Sequence, residues 1–209
     1  EASCLRILQH GGRTDKMTLT PRQHEIVDAA MTLIAEKGIQ NLTIKNIATR
    51  MGFSEPAVYR HFDSKYDIVM TLLSRFEEHG NQLLQEVREQ EGPALKKIET
   101  FIFDRYKRCS ANPDLAKVMF SEEHFQGDSR FSERMMGIMR RHSEEVYAII
   151  AEGQEKGEIR KDVSATAVFR TLFGAVRLLV KQWCLSGFAF DLVSEGSSLW
   201  SAHQLMLKP

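Results

Sequence analysis

Cysteine is scarce in this 209-residue chain, which has only Cys4, Cys109 and Cys184, far apart and with no CxxC pair. An odd set of distant thiols excludes a disulfide framework and reads as reduced thiols in a cytoplasmic protein. Proline and glycine are also few, at 5 and 13 residues, and no internal repeat or low-complexity tract interrupts the chain. A long apolar run is missing, because Arg177 and Lys181 break the best candidate before it reaches the ~20 residues a membrane span needs. Nor is there an excess of either charge, with 28 Lys and Arg against 28 Asp and Glu, so no general basic field advertises nucleic acid.

Catalytic and metal signatures are absent as well. His24-Glu25 begins like a metalloprotease helix, but Asp28 stands where the second zinc ligand belongs. No histidine follows a glutamate by three residues, which removes the Glu-x-x-His motif of carboxylate-bridged di-iron bundles. Glu122, Glu123 and His124 are adjacent and cannot face one ion from a helix, so they read as a solvated end. No nucleophile elbow, P-loop or dinucleotide fingerprint occurs, and no enzyme, metal or cofactor is expected.

What is present is helical periodicity with sharp punctuation, and no alternating strand pattern or hairpin turn, so the expected fold is all-α. Thr20-Pro21-Arg22-Gln23 offers a cap, a first-turn proline and a capping-box glutamine, followed by Ile26, Val27, Ala30, Leu33 and Ile34 on one stripe until Gly38. Thr43 caps a second helix with Ile44, Ile47, Ala48 and Met51, and Gly52 ends it in the left-handed conformation. Ser54 caps a third, with Pro56 in its first turn and Val58 and Phe62 inward at i and i+4. Ser64 opens a fourth, with Asp67 as its capping acid. Two short helices meeting at a glycine, with small Ala48 at their crossing, read as a helix-turn-helix.

The outer face of that unit is suited to DNA. Glu55 can accept from a cytosine amino group and Ala57 can touch a thymine methyl. Tyr59, Arg60, His61 and Lys65 are placed for phosphates, Lys65 at a helix N-terminus that itself attracts anions. From Met17 to Arg75 there are seven Lys and Arg against six Asp and Glu, so attraction is focal. One protomer with so few cations binds weakly at physiological salt, and a two-fold dimer doubles the contacts.

The AxxLIAEKG end of the first helix, LTxxxIAxxMG through the second, and FSxxxVYRHFxSKxD across the third into the fourth resemble the TetR family of bacterial transcriptional regulators. The resemblance is strong over Pro21 to Arg75 and beyond that rests on length and helical layout. It implies phosphate contacts at Thr43, Lys45, Tyr59, His61 and Lys65, and base reading from Glu55, Pro56, Ala57 and Tyr59, with the Ser54 cap beside them. Arg60 occupies a position often aromatic in the family, and Tyr66 one where glutamate is common. The resemblance implies double-stranded operator DNA, a homodimer and a small-molecule effector as partners.

Beyond Ser64 the breaks define helices from Ser64 to Gln90, Pro93 to Cys109, Pro113 to Phe125, Ser129 to Lys156, Ser164 to Leu185 and Asp191 to Leu207. The expected organisation is a flexible leader or added extension over 1–16, a DNA-binding domain over 17–63, and an effector-binding and dimerisation domain over 64–209. Met17 is the expected natural start; a basic arm carrying Arg6, Arg13 and Lys16 into a minor groove is the alternative. The helix from Ser164 carries apolar residues over more than one stripe, which points to burial on two sides. With its successor it resembles the family's four-helix dimer bundle, through Phe169, Val176, Val180, Trp183, Leu199 and Trp200.

Large adaptable side chains in the middle helices supply a candidate pocket for a largely apolar effector: Phe101, Tyr106, Met119, Phe120, Phe125, Met136, Met139 and Phe173. Arg177, on an apolar helix, requires a partner, either a ligand anion or an acid across the dimer. The expected function is a homodimeric, ligand-responsive repressor binding a palindromic operator. The alternatives are a family member that recruits a protein partner while DNA-bound and senses no metabolite, as a nucleoid-occlusion factor does, and a helical small-molecule enzyme or carrier.

Overall fold

The computed structural model describes residues 19–120, 125 and 127–209. The leader, Met17, Cys4 and the Glu122-Glu123-His124 run lie outside the described residues. Among those described there are nine α-helices and no strand: α1 (Pro21–Lys37), α2 (Ile44–Met51), α3 (Glu55–Tyr59), α4 (Lys65–Glu89), α5 (Ala94–Ala111), α6 (Pro113–Met119), α7 (Ser129–Glu155), α8 (Ala165–Leu185) and α9 (Leu192–Leu207).

The local punctuation acts largely as the residue types dictate. Thr20 and Gln23 form a reciprocal capping box at α1. The Thr43 hydroxyl accepts from Asn46 N at 3.0 Å at the start of α2, and Gly52 ends that helix at φ 69°, ψ 29°. Ser54 differs from expectation. It holds the extended N-cap backbone of α3, yet its hydroxyl makes no cap bond. At α4 the Ser64 hydroxyl accepts from Asp67 N at 3.3 Å and donates to the Asp67 carboxylate at 2.7 Å, so the acid answers the hydroxyl instead of the main chain. The helix opened by Pro113 stops at Met119, short of the expected Phe125.

Two cores result. The first gathers Ile26, Ile34, Ile47, Val58 and Leu73 with residues from α6 and the beginning of α7, among them Val118, Met119, Phe131 and Ile138. The second joins the rest of α4 with α5, α7, α8 and α9. The expected boundary between 63 and 64 therefore falls at the start of a helix that belongs to both cores: Ile68, Val69, Leu72 and Leu73 pack with the first, Leu83, Leu84 and Val87 with the second. Arg75 ties α4 to α1 through Asp28 at 2.8 Å, and Glu77 ties it to α7 through Arg134 and Arg141.

Candidate functional site

The short α3 presents its polar side outward because Val58, fully buried, and Phe62 anchor the other. Thr43, Lys45, Ser54, Glu55, Pro56, Tyr59, Arg60 and Lys65 are exposed, with Ala57 and His61 half-buried beside them. Tyr59 keeps 51% of its surface, a large aromatic left without core packing. Gln23 Nε2 donates to the His61 carbonyl at 3.2 Å and pins the end of the unit to α1. The face thus holds the donors, acceptors and methyl that groove reading needs, on a rigid support.

The second feature is a cavity of about 290 Å³ among α4, α5, α6, α7 and α8. Of the residues expected at an effector pocket, Phe101, Met119, Phe120, Phe125, Met139, Phe173 and Arg177 line it. Two expected residues do not. Tyr106 is buried in the core against Gly196 of α9, where an added Cβ would lie 2.4 Å from the ring. Met136 points to solvent at 63% exposure, because Met135 and Met139 occupy the inward phase of α7. Arg177 is already engaged by other groups of the chain, so neither a ligand nor a second protomer is needed to explain it.

The wall also holds Phe76, Arg105, His142, Ser143 and Arg170, none of which composition singled out. The signal was there for two of them. Arg105 continues the stripe Ile98, Phe101, Ile102, Cys109, and His142 continues Met135, Ile138, Val146, Ile149; each is a polar residue on a buried phase. The Arg105 guanidinium lies 4.5 Å from the Phe101 ring centre and 6.0 Å from that of Phe76. Its Nε is buried without a hydrogen-bond partner, as is His142 Nε2. Burial pulls Arg105 down to about 10. His142 is pulled down to about 4, first by burial and then by the Arg105 charge. Cys109, behind Arg105, is pushed up to about 12 by burial and is an inert thiol.

Four of the six expected dimer residues are taken up inside the protomer. Val176, Val180, Trp183 and Trp200 are buried within the protomer, and Phe169 and Leu199 are half-buried. Val168, Leu172, Val176, Val180 and Trp183 form the stripe of α8 that faces its own core. Phe169 instead joins the cavity wall, stacked on Phe173 with ring centres 4.4 Å apart. The apolar side chains left outward are Leu178 and Leu185 on α8 and Leu205 and Met206 on α9.

Comparison with known proteins identifies the family. Residues 26–71 match the model of bacterial regulatory proteins of the tetR family, and residues 74–208 match the YsiA-like protein C-terminal region. The chain belongs to the TetR family. It is a DNA-binding transcriptional regulator and not an enzyme. Among its TetR relatives, the fatty acid metabolism regulator protein of Bacillus subtilis is 25% identical over 182 residues, covering 86% of this chain and 92% of that one. The nucleoid occlusion factor SlmA of Vibrio vulnificus is 22% identical over 188 residues, covering 90% and 96%. The B. subtilis FadR structure in complex with stearoyl-CoA superposes with a TM-score of 0.75 at 23% identity, over 86% of this chain and 96% of that chain. The ketosteroid regulator KstR2 of Mycobacterium tuberculosis gives 0.78 at 18%, over 91% and 97%.

Proposed function

We propose that this TetR-family chain is a cytoplasmic, homodimeric repressor that leaves a near-palindromic operator when an amphipathic effector with a largely apolar body fills the cavity. The observation that carries the reading is the position of α6. Met119 and Phe125 line the cavity and also belong to the core that holds the helix-turn-helix, and α6 packs directly on α1. An effector that displaces this wall displaces the support of the DNA-reading face. Only a difference in effector affinity between the DNA-fitting and splayed states shifts the population. Relatives whose names refer to fatty acid metabolism and ketosteroids support an apolar effector with a polar end.

Each protomer places α3 in a major groove through Glu55, Pro56, Ala57 and Tyr59. Thr43, Lys45, Ser54, Arg60, His61 and Lys65 contact flanking phosphates. The Ser54 hydroxyl, unused as a cap, is free to donate to a phosphate oxygen. The match to a nucleoid occlusion factor supports an effector-free, partner-recruiting role as the second reading, but an apolar cavity of about 290 Å³ favours a metabolite.

Selection of random duplexes by the purified protein at near-physiological salt tests this. A two-fold symmetric site is expected, with half-sites about one helical turn apart. Tyr59→Ala should weaken binding to that site without loss of fold. Recovery of no sequence by an intact dimer would count against the operator model.

A further inference from the structure

We infer that Tyr66 is a positioning residue for DNA binding: the first turn of α7 clasps its ring, and the clasp holds the amino end of α4 where Lys65 meets a phosphate. The inference rests on the docking proposed for Lys65, the neighbour of Tyr66 in the chain. The Arg130 guanidinium carbon lies 4.2 Å from the centre of the Tyr66 ring. Phe131 stacks on the same ring, with centres 5.3 Å apart and planes 19° from parallel. A cation over an aromatic face and a ring stack are each weak but directional, and together they fix where the ring sits.

Both partners of the ring are themselves held. Phe131 is buried in the first core, the one that supports the helix-turn-helix. Arg130 is fixed through Asp128: its Nε donates to Oδ1 at 3.0 Å and a terminal nitrogen donates to Oδ2 at 2.6 Å. Asp128 Oδ1 also accepts from the Arg130 amide at 3.0 Å, as the cap of α7. The Ser132 hydroxyl donates to the Phe125 carbonyl at 2.8 Å and ties the same turn to the segment before it. The clasp is therefore part of a braced turn and not a loose surface contact.

The other side chains in the first turn of α4 do not replace it. Lys65 is exposed, and the Asp67 carboxylate is engaged by the Ser64 hydroxyl. Asp128 adds an electrostatic reason. Its carboxyl is held below the ordinary range by the Arg130 hydrogen bonds, and the Lys65 charge contributes as well, which brings the ammonium within range of that acid. Because Arg130 answers both carboxylate oxygens, the Lys65 charge stays available to DNA. Removing the Tyr66 ring releases this arrangement without removing any charge.

The test is the salt dependence of binding of the full chain to a random-sequence duplex, for Lys65→Ala, Tyr66→Leu, Tyr66→Phe and the Lys65→Ala/Tyr66→Leu pair. An uncharged residue that only supports the fold leaves the number of neutralised phosphates, and hence the slope, unchanged. Tyr66→Leu is expected instead to lower the slope as Lys65→Ala does, by about 2 per dimer, and to weaken binding at least roughly tenfold near ~0.1 M salt. It should add little to Lys65→Ala, and Tyr66→Phe, which keeps the ring, should keep the slope. Circular dichroism reports whether each variant folds. If Tyr66→Leu does not fold, Arg130→Gln combined with Asp128→Asn removes the cation of the clasp at no change in net charge and should lower the slope in the same way. A lowered slope in Lys65→Ala with an unchanged slope in folded Tyr66→Leu overturns the clasp alone, as does a Tyr66→Leu loss that adds in full to that of Lys65→Ala. An unchanged slope in Lys65→Ala overturns the phosphate contact proposed for Lys65, and the clasp with it.

Discussion

At Gly80 an added methyl would sit 2.2 Å from His142 Cε1, and at Gly196 one would sit 2.4 Å from Tyr106 Cε2. Both glycines are helical, so their role is close approach and not backbone freedom. Gly196→Ala is expected to destabilise the protein by about 1–3 kcal/mol, because the Tyr106 ring is fully buried and cannot retreat. Urea unfolding measures it, with Met136→Ala on the solvent face as a near-neutral control. His142 adds a pH dependence. Its folded value of about 4 lies below the ordinary 6.5, so the unfolded chain binds more protons in between. Stability from this group is present above about 6.5 and is lost as pH falls toward 4, by roughly 3 kcal/mol at most. His142→Phe should flatten the stability profile over that window in unfolding measurements. At the DNA face, Lys65→Ala should leave stability nearly unchanged, since the side chain is exposed. It should also lower the salt slope of operator binding by about 2 per dimer, one contact from each protomer.

Among the elements, α8 shows why periodicity was informative and also misleading. Its apolar residues cover two faces, and the sequence alone does not say which face meets the protomer's own core. The regular stripe Val168, Leu172, Val176, Val180 and Trp183 went inward, where α5, α7 and α9 cover it. Leu178 and Leu185, with Leu205 and Met206 of α9, stayed outward at exposures from 58% to 78%. Aspartate at Leu178 and Leu205 together should yield a folded monomer by sedimentation with little loss of thermal stability. Trp200→Ala should instead destabilise the protomer by about 3–5 kcal/mol, because that ring is buried. The short α6 carries the coupling. Its residues touch both the cavity and the first core, so Met119→Ala should alter effector response and DNA affinity together. Parallel titration of both ligands on the variant checks this.

For the molecule as a whole, the helix-turn-helix, the all-α class and most helix bounds were legible in the sequence. Caps, first-turn prolines and Gly52 are local signals, and they act over a few residues with little dependence on distant packing. The same holds for the outward polar side of α3, fixed in phase by Val58 and Phe62. What the tertiary structure decided was everything that depends on which of two apolar faces is covered. It sent Tyr106 to the core, Met136 to solvent and Phe169 to the cavity. It also ran α4 through both cores, so no boundary at 63 separates them. Arg105 and His142 gained their meaning the same way: each is one polar residue on an apolar stripe until α4, α5 and α7 close around them. A helix period specifies which residues share a face. Only packing between elements far apart in sequence determines what that face meets.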